Sequence, residues 1–302
     1  MLDIEILLID DYSSDKSLNI MEKLQKEDQR IKIIKNNKNL GALYSRSLGA
    51  ILSKGLYIMA LDSDDLFINK DLFSICYNDA EKNYLDIVEF SGFQVKKYIL
   101  RLNNKLPKIA FYLRDKENNL TIKQPKLFDF LYKKKNGKII KLVDGYIWGK
   151  CIKKSIYIKA LNKLGKNVYQ KYINYGEDRI VNFIFFKIAH SFKFIDIFGI
   201  IYIYNRLSIF NSYKKESIAH DELINLMSIY NFTKNSSDLK IVVYELKKRW
   251  KSIILPGLNI ENKNSTIYLI NLLLKSKYLR LNDKNLLTNL FSEIDSFSFP
   301  SN

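Results

Sequence analysis

Two stretches with one shared pattern decide the fold: IEILLIDDYSSD at residues 4–15 and YIMALDSDD at residues 57–65. Each starts with a short apolar run typical of a strand, and each ends in a cluster of acidic residues; the first run predicts a strand that is buried on both faces. A helical pattern over 17–27, an apolar run at 31–34 and a second helical pattern over 42–54 separate them. Because ligands of open parallel sheets bind beyond the carboxyl ends of the strands, we expect both acid clusters to line one crevice.

The remainder of the chain continues this alternation and then becomes helical. We predict an α/β domain over residues 1–212, with a mostly parallel sheet flanked by helices, and a helical region over residues 213–302. Residues 101–142 are rich in Lys and Asn and have few periodic apolar positions, which predicts a loop-rich insertion of the kind that contacts an acceptor or a partner. Apolar periodicity predicts helices over 70–82 and 177–190 and a further helix that ends at Lys163. It also predicts strands over 87–95 and 192–204 and amphipathic helices within 220–291.

The composition excludes several classes of protein. The chain is 47% hydrophobic and 27% charged, which is the balance of a globular protein. Its 302 residues contain two cysteines, Cys76 and Cys151, and two histidines, too few for a disulfide framework or a His-rich metal centre. The sequence contains no uncharged apolar run as long as a membrane span and shows no signal-peptide pattern at Met1. We therefore expect a location in the cytoplasm or on the cytoplasmic face of a membrane.

The formal net charge of +17 is compatible with an anionic partner. Of the 49 basic residues 41 are Lys and eight are Arg, and Asn, Ile, Tyr and Phe are also abundant, which is typical of AT-rich coding sequence. The tightest basic runs, at 133–135 and 247–249, are short and are not interleaved with aromatic residues as in single-strand binders. We interpret them as solvated surface and expect no specific nucleic-acid partner, while peripheral contact with a membrane stays open.

The acid cluster after the second stretch has the spacing of a metal site. Asp62 and Asp64 stand one residue apart at a strand end, so their carboxylates can share a hard divalent cation, which prefers oxygen ligands and often fills its shell with substrate phosphates. Such a cation would also neutralise charge on a departing phosphate. The structural alternative is a turn in which Asp65 caps the following helix.

These residues together resemble the family 2 glycosyltransferases, which have the GT-A nucleotide-diphospho-sugar fold. The resemblance is carried by the first stretch, by Asn39-Leu40-Gly41 followed by Arg46, and by the second stretch, in this order and spacing. Three later segments are similar to shorter family motifs: Trp148-Gly149-Lys150, Gly176-Glu177-Asp178 and Tyr204-Asn205-Arg206. The resemblance covers about residues 1–212 and leaves the helical region outside it.

The resemblance implies a donor site and a metal site. It implies that Asp11, with Asp10 nearby, contacts the nucleoside and that Arg46 lies by the base or the ribose. Asp62 would hold the ribose and the outer shell of a Mn²⁺ or Mg²⁺ ion, and Asp64 would hold the ion itself. The full set that the resemblance assigns to the nucleoside-diphosphate-sugar donor is Asp10, Asp11, Ser13, Asn39, Gly41, Arg46 and Asp62.

The later motifs imply the residues of the reaction. Asp178 would be the general base that takes the proton of an acceptor hydroxyl as the oxygen attacks the anomeric carbon of the sugar. Carboxylates with an ordinary pKa of about 4 are ionised at neutral pH and can serve in this way. A structural alternative stays open for each residue: Glu177 and Asp178 as acids at a helix N-terminus, Trp148 as a core residue, Lys150 as a surface residue and Arg206 as a residue at a strand end. The residues implied for the acceptor or the diphosphate are Trp148, Lys150, Glu177 and Arg206.

The family pattern also includes an apolar strand and a short polar turn before the first stretch. That strand lies in the middle of the sheet, and this sequence has no counterpart, because the chain begins three residues before Ile4. A gap there would leave buried amide and carbonyl groups unpaired, each at a cost of about 1–3 kcal/mol. We expect that the true start lies upstream. The alternatives are that the flanking strands close up or that the product is impaired.

The sequence thus predicts a metal-dependent glycosyltransferase of the hexosyltransferase type. It would move a sugar from a nucleoside-diphosphate-sugar to a hydroxyl of a glycan, lipid or protein, with inversion at the anomeric carbon. One alternative is a nucleotidyltransferase with a similar sheet and an acidic metal site. Another is a truncated or inactive relative that binds nucleotide or an anionic surface without turnover.

Overall fold

The chain divides into two compact units. A computed structural model describes residues 3–96, 110–111, 121–123, 132–135, 138–142, 146–173, 175–204, 214–277, 279 and 281–295. The first unit comprises residues 1–174 and 181–208, and the second comprises residues 175–180 and 209–302. The inclusion of 175–180 in the second unit was not predicted from the sequence. The predicted boundary between residues 212 and 213 stays a prediction.

The first unit alternates strands and helices, and the predicted order of strand, helix, strand, helix and strand at its start is confirmed. Its helices are α1 (Ser17–Glu27), α2 (Gly41–Leu52), α3 (Leu72–Asn83), α4 (Lys154–Leu164), the short α5 (Lys166–Tyr169) and α6 (Glu177–Ile188), which begins in the second unit. Its strands are β1 (Ile6–Asp10), β2 (Ile31–Lys35), β3 (Tyr57–Met59), β4 (Leu66–Phe67), β5 (Ile87–Lys96), β6 (Ala110–Phe111), β7 (Thr121–Lys123), β8 (Tyr132–Lys135), β9 (Lys138–Leu142), β10 (Lys150–Lys153) and β11 (Ser191–Tyr204).

The larger sheet of this unit is mixed. Its strand order is β3-β10-β5-β11-β4, with β6 beside β5 and β7 beside β11, while β1 and β2 form a separate parallel pair. Within the larger sheet β5 and β11 run parallel, and the other described pairs are antiparallel. The predicted α/β class with a helix-flanked sheet is confirmed, but the prediction that the sheet is mostly parallel is wrong. Five of the six described pairs are antiparallel, because β10 runs opposite to both β3 and β5, β4 and β7 run opposite to β11, and β6 runs opposite to β5.

The predicted insertion at 101–142 contains strands. β6 and β7 join the larger sheet, and β8 and β9 pair with each other. None of these strands was predicted from the sequence. The rest of the insertion lies outside the described residues.

No ladder joins β1 to β3. Among the described strands, β1 pairs with β2 and β3 pairs with β10. The alternative in which the strands flanking the expected gap close up is therefore wrong. All of β3 and the first four residues of β1 are only half-buried, because both strands lie at sheet edges. The prediction that the first strand is buried on both faces is therefore wrong.

One buried cluster of the first unit lies between α3 and the larger sheet. Leu72, Cys76 and Ala80 of α3 are fully buried in one cluster with Phe90 of β5. Gly199 of β11 marks the closest approach, since a Cβ there would lie 2.5 Å from Phe90 Cδ2 and 2.7 Å from Leu72 Cδ1. Protein interiors are packed with few voids, so only a residue without a side chain fits at this point.

The second unit is helical, as predicted for the C-terminal region. Trp250 is buried in it, and its indole N–H donates to Glu293 Oε2 at 2.5 Å. None of the described helices has both the length and the apolar character needed to cross a bilayer. The elements are α7 (Lys215–Thr233), a 3₁₀ turn (Ser237–Leu239), α8 (Lys240–Arg249), a π-helical turn (Trp250–Ile254), a second 3₁₀ turn (Leu255–Gly257), α9 (Ile260–Leu274) and α10 (Leu281–Asp295).

The close packing at Gly199 predicts opposite effects for two glycine substitutions. Gly199→Ala forces a methyl group against Phe90 and Leu72, and we expect it to lower the free energy of unfolding by about 1–3 kcal/mol. Gly49 lies in α2, where a Cβ would meet Ile9 at an ordinary 3.7 Å. Gly49→Ala should therefore raise the free energy of unfolding by up to about 1 kcal/mol, because alanine favours the helix. Urea unfolding measures both, and equal values for the two variants would contradict the packing argument.

Candidate functional site

The first acid cluster follows β1, where the chain turns sharply. Asp10 is buried, and its Oδ1 accepts a hydrogen bond from the backbone N–H of Ser13 at 3.2 Å. Tyr12 is exposed and has a φ of +65°, a left-handed conformation that is uncommon for residues other than glycine. The turn brings the amide of Ser13 back to Asp10, and Asp11 meets the start of α2.

Asp11 connects β1 to the first turn of α2. Its Oδ1 accepts from the backbone N–H of Leu40 at 2.8 Å, and its Oδ2 accepts from that of Gly41 at 2.7 Å. Asn36, directly after β2, donates to Asp11 Oδ1 at 2.8 Å, and Asn39 Oδ1 accepts from Gly41 N–H at 3.2 Å. The first N–H groups of a helix lack partners within the helix and carry partial positive charge, so a carboxylate is a favourable partner for them.

Arg46, which also lies in α2, forms an ion pair with the second acid cluster. It lies further along α2, and its Nη2 is 2.6 Å from Asp62 Oδ1. The Arg46 side chain is 17% exposed and that of Asp62 36%, so the pair is open to solvent on one side. The residues predicted for the donor thus make three sets of contacts: Asp10 with Ser13, Asp11 and Asn39 with Gly41, and Arg46 with Asp62. Their predicted contact with a donor stays a prediction.

Asp65 is the buried member of the second cluster. Its Oδ1 accepts from the backbone N–H of Ile203 in β11 at 2.8 Å, while Oδ2 is buried without a hydrogen-bond partner. Burial raises the pKa of Asp65 to about 7; the carboxylates of Asp62 and Asp64 act in the same direction, and the Ile203 N–H and Arg46 oppose it. The alternative in which Asp65 caps the following helix is wrong, because its side chain bonds to β11.

The chemistry of the second cluster fits a divalent cation held by few protein ligands. Asp64 is exposed, and Asp62 and Asp64 lie close enough to Asp65 to raise its pKa. In the part of the chain that the structure describes, no three His, Cys, Asp or Glu side chains are arranged to hold a metal ion. A cation bound by Asp62 and Asp64 would therefore complete its shell with water or phosphate oxygens, as Mg²⁺ commonly does.

An aromatic cluster lies beside these carboxylates. Burial raises the pKa of Tyr202 to about 12, and the charges of Asp65, Tyr146, Asp64 and Asp62 act in the same direction. Trp148 stacks with Tyr146 at 4.8 Å and with Tyr202 at 5.5 Å between ring centroids. Trp148 is only 6% exposed, which agrees with a core tryptophan, and its predicted contact with a sugar stays a prediction. Tyr146, which is 41% exposed, is the accessible ring of the cluster.

Lys150 is buried rather than at the surface. Its Nζ lies 3.2 Å from Glu89 Oε2 and donates to the Tyr146 carbonyl at 2.7 Å. Both side chains of the ion pair have 0% exposure, so the surface alternative for Lys150 is wrong. The predicted contact of Lys150 with a diphosphate stays a prediction.

The remaining predicted residues lie in other parts of the chain. Glu177 and Asp178 begin α6 and belong to the second unit; Glu177 is buried and Asp178 is half-buried. Gly176 precedes them with a φ of +69°. Arg206 lies outside the described residues, so its predicted role stays a prediction.

Sequence reasoning missed several residues of the site. Asn36 had a usable signal, since it is a polar residue at the carboxyl end of a predicted strand. Asp65 was considered only as a helix cap. Glu89, Tyr146 and Tyr202 gave no signal, because their positions beside Lys150, Trp148 and the carboxylates depend on strand pairing between distant segments.

The part of the chain that contains both acid clusters is similar to a known family. The model of glycosyl transferase family 2 matches residues 1–141, which contain both acid clusters and α2. Residues 1–141, called the family 2 region below, are therefore similar to glycosyltransferase family 2. The family 2 region excludes the later predicted residues, from Trp148 to Arg206.

The relatives extend the similarity beyond the family 2 region. The chain is 28% identical to the uncharacterized glycosyltransferase EpsJ of Bacillus subtilis, over 64% of this chain and 51% of that protein. It is 32% identical to the cholesterol galactosyltransferase of Borreliella burgdorferi, over 64% of this chain and 50% of that protein. The chain thus spans about half the length of these relatives.

The similarity in fold covers nearly the whole chain. The crystal structure of S. aureus TarS 1–349 in complex with UDP matches 96% of this chain and 79% of that chain, with a TM-score of 0.59 and 13% sequence identity. The predicted GT-A fold with a helical C-terminal region is thereby confirmed.

The hydrogen bonds of Asp11 predict a large loss of stability on its removal. Asp11→Ala leaves the N–H groups of Leu40 and Gly41 without their acceptor, and we expect it to lower the free energy of unfolding by about 1–3 kcal/mol. Asp71 is the matched control, because it is exposed at the start of α3 and makes no side-chain cap bond. Asp71→Ala should change stability by no more than about 0.5 kcal/mol. Similar losses in both variants, measured by urea unfolding, would contradict the assigned role of Asp11.

The Lys150–Glu89 pair predicts a rescue by double substitution. Lys150→Met leaves the Glu89 carboxylate buried without its cation, and we expect a loss of about 3–5 kcal/mol in the free energy of unfolding. Adding Glu89→Leu should restore most of that stability, because an apolar pair of similar volume needs no compensating charge.

The UDP affinity of the stable double variant, measured by calorimetry, then tests the predicted contact of Lys150 with the diphosphate. Wild-type affinity would exclude that contact.

Proposed function

We propose that this protein is a metal-dependent glycosyltransferase that moves a sugar from a nucleoside-diphosphate-sugar to an acceptor hydroxyl, with inversion. The observation that carries the proposal is the continuous set of contacts from Asp11 through α2 and Arg46 to Asp62, beside the exposed carboxylate of Asp64. This set lies in the family 2 region. It combines an arginine with carboxylates that suit a divalent metal, and such a metal would hold the diphosphate of the donor.

The donor and the acceptor class are supported by the relatives. TarS, which has a similar fold, is known in complex with UDP, and we propose a UDP-sugar as the donor. The Borreliella burgdorferi relative is a cholesterol galactosyltransferase, which supports a hexose as the transferred group and a lipid hydroxyl among the candidate acceptors. Glycan and protein hydroxyls remain candidates as well. The family match favours this function over nucleotidyl transfer.

The mechanism assigns one task to each group of residues. Asp11 and Arg46 would orient the nucleoside and ribose, and Asp64, with Asp62, would hold Mn²⁺ or Mg²⁺. The bound cation supplies neutralising charge for the departing diphosphate. The Asp178 carboxylate takes the proton of the acceptor hydroxyl as the hydroxyl oxygen bonds to the anomeric carbon and the bond from that carbon to the diphosphate oxygen breaks. Attack opposite to the leaving group inverts the anomeric centre.

The proposed location is the cytoplasm or the cytoplasmic face of a membrane. Nucleotide-sugar transfer to a lipid acceptor would take place at a membrane surface. The net charge of +17 favours peripheral contact with anionic lipid. This charge also favours the second candidate function, a protein that binds an anionic surface without turnover.

Two substitutions separate binding from turnover. Asp64→Ala should abolish the Mn²⁺-dependent part of UDP binding in calorimetry, whereas the exposed control Asp71→Ala should bind as the wild type does.

Asp178→Asn should keep UDP affinity and lower the release of UDP from UDP-glucose, with water as acceptor, by about 10²–10⁴-fold, because it removes the base.

Contrary outcomes identify which part of the proposal fails. Equal UDP affinity with and without chelator would contradict the metal role. Wild-type UDP release by Asp178→Asn would contradict the assignment of the base. Salt-sensitive binding to anionic vesicles that survives Asp64→Ala, without UDP release by the wild type, would favour the non-catalytic function.

A further inference from the structure

The segment that carries Asp178 is held by the helical unit. Residues 175–180 cluster with residues 209–302. The backbone N–H of Tyr175 donates to Asp221 Oδ2 at 3.2 Å, and the carbonyl of Tyr175 accepts from Asn225 Nδ2 at 2.9 Å. Asp221 and Asn225 are four residues apart on α7 and so lie on one face of it. That face thus fixes both backbone polar groups of Tyr175, three residues before Asp178.

The residue after Asp178 is anchored to the same helix. Arg179 Nη2 lies 2.5 Å from Glu222 Oε2, and Glu222 is fully buried. Arg249 at the end of α8 places its Nε 3.0 Å from Glu222 Oε1 and also pairs with Glu245. Asp178 therefore lies between two neighbours, Tyr175 and Arg179, that are both bound to α7.

Gly176 shows how closely the segment approaches α7. A Cβ at Gly176 would lie 2.9 Å from Arg179 Nη2 and 3.1 Å from Asn225 Nδ2, and the φ of +69° disfavours other residues independently. A side chain there would displace both anchoring groups. The glycine thus permits the contacts that hold the segment.

Stability alone is a poor explanation for this arrangement. Glu222 and Glu245 are fully buried, and Arg179 and Arg249 are nearly so, with the two pairs balancing in charge. Burial raises the pKa of Glu222, and the two guanidinium groups oppose that shift. Replacing buried ion pairs by apolar residues is often neutral or stabilising, so fixed geometry is the property that such a cluster supplies best.

We propose that Asp221, Glu222 and Asn225 are positioning residues that fix the Asp178 carboxylate for proton transfer. The inference rests on the proposed function, in which Asp178 is the general base. A base acts only within hydrogen-bond reach of its proton, and a displacement of about 1 Å lowers the rate by about 100-fold. The helical unit thereby contributes to the reaction through three side chains that do not touch the substrate.

Asn225→Leu tests the inference, because leucine has nearly the same shape and cannot donate to Tyr175. With UDP-glucose as donor, water as acceptor and Mn²⁺ present, we expect kcat for UDP release to fall about 10- to 100-fold while KM stays within about twofold. Hydrogen exchange at residues 175–179 should become faster. Ser228→Ala is the matched control on α7, since its hydroxyl donates to the Ile224 carbonyl of the same helix; kcat and exchange should remain those of the wild type.

A pair of substitutions at Asp221 supplies a rescue. Asp221→Leu removes the acceptor of the Tyr175 N–H and should lower kcat as Asn225→Leu does. Asp221→Asn keeps a carbonyl oxygen at that position and should retain most of the wild-type kcat. Circular dichroism melting verifies that each variant is folded, and Glu222→Gln replaces any variant that is not.

The outcomes distinguish this inference from the proposed function. Wild-type kcat in folded Asn225→Leu and Asp221→Leu, or unchanged exchange at 175–179, would overturn the inference. Turnover by Asp178→Asn at the wild-type rate, or no UDP release by the wild type, would overturn the proposed function and the inference with it. If Asp178→Asn retains a measurable residual rate, and Asn225→Leu in that background causes no further loss, the positioning role acts through Asp178 and is supported.

Discussion

The arrangement of the first unit depends on the Asp11 carboxylate. Asp11 directly follows β1, and its carboxylate accepts from the N–H groups at the start of α2, so the direction of that helix is set from its first turn. Arg46, further along the same helix, is thereby brought to Asp62 after β3. Because no ladder joins β1 to β3 in the described part of the chain, this route through α2 links the two acid clusters. The relation between the two clusters is thus set by a helix and by side chains rather than by a shared sheet.

Buried charges serve a related purpose in both units. Lys150 and Glu89 are partners in the register of β10 and β5, and the ion pair of their side chains is fully buried. Glu222 meets Arg179 and a second arginine inside the helical unit. A buried pair adds little net stability but is costly to break, so each one penalises any other placement of its two segments.

The sequence was most informative where structure is local. The order from β1 to β3 and the presence of α3 followed from apolar periodicity, and the acid clusters followed from their position at strand ends. β10 was missed because KCIK is short and has lysine at both ends, and its burial comes from the two strands that flank it. The environment of Asp178 could not be predicted from the sequence either, since the contact of Tyr175 with Asp221 joins residues 46 positions apart. Long-range pairing of this kind leaves no periodic signal in the segments that it joins.

The interleaving of the two units along the chain limits how such a protein can be shortened or recombined. The backbone passes into the second unit at residue 175, returns at 181 and leaves again at 209. A fragment that ends near residue 212 would retain Asp178 and lose α7, which binds Tyr175 and Arg179 on either side of it. The α/β unit therefore does not contain all the contacts that hold its own segments. An exchange of C-terminal regions between relatives would have to bring matching changes at residues 175–180, so this short segment and the distant helix are expected to be inherited together.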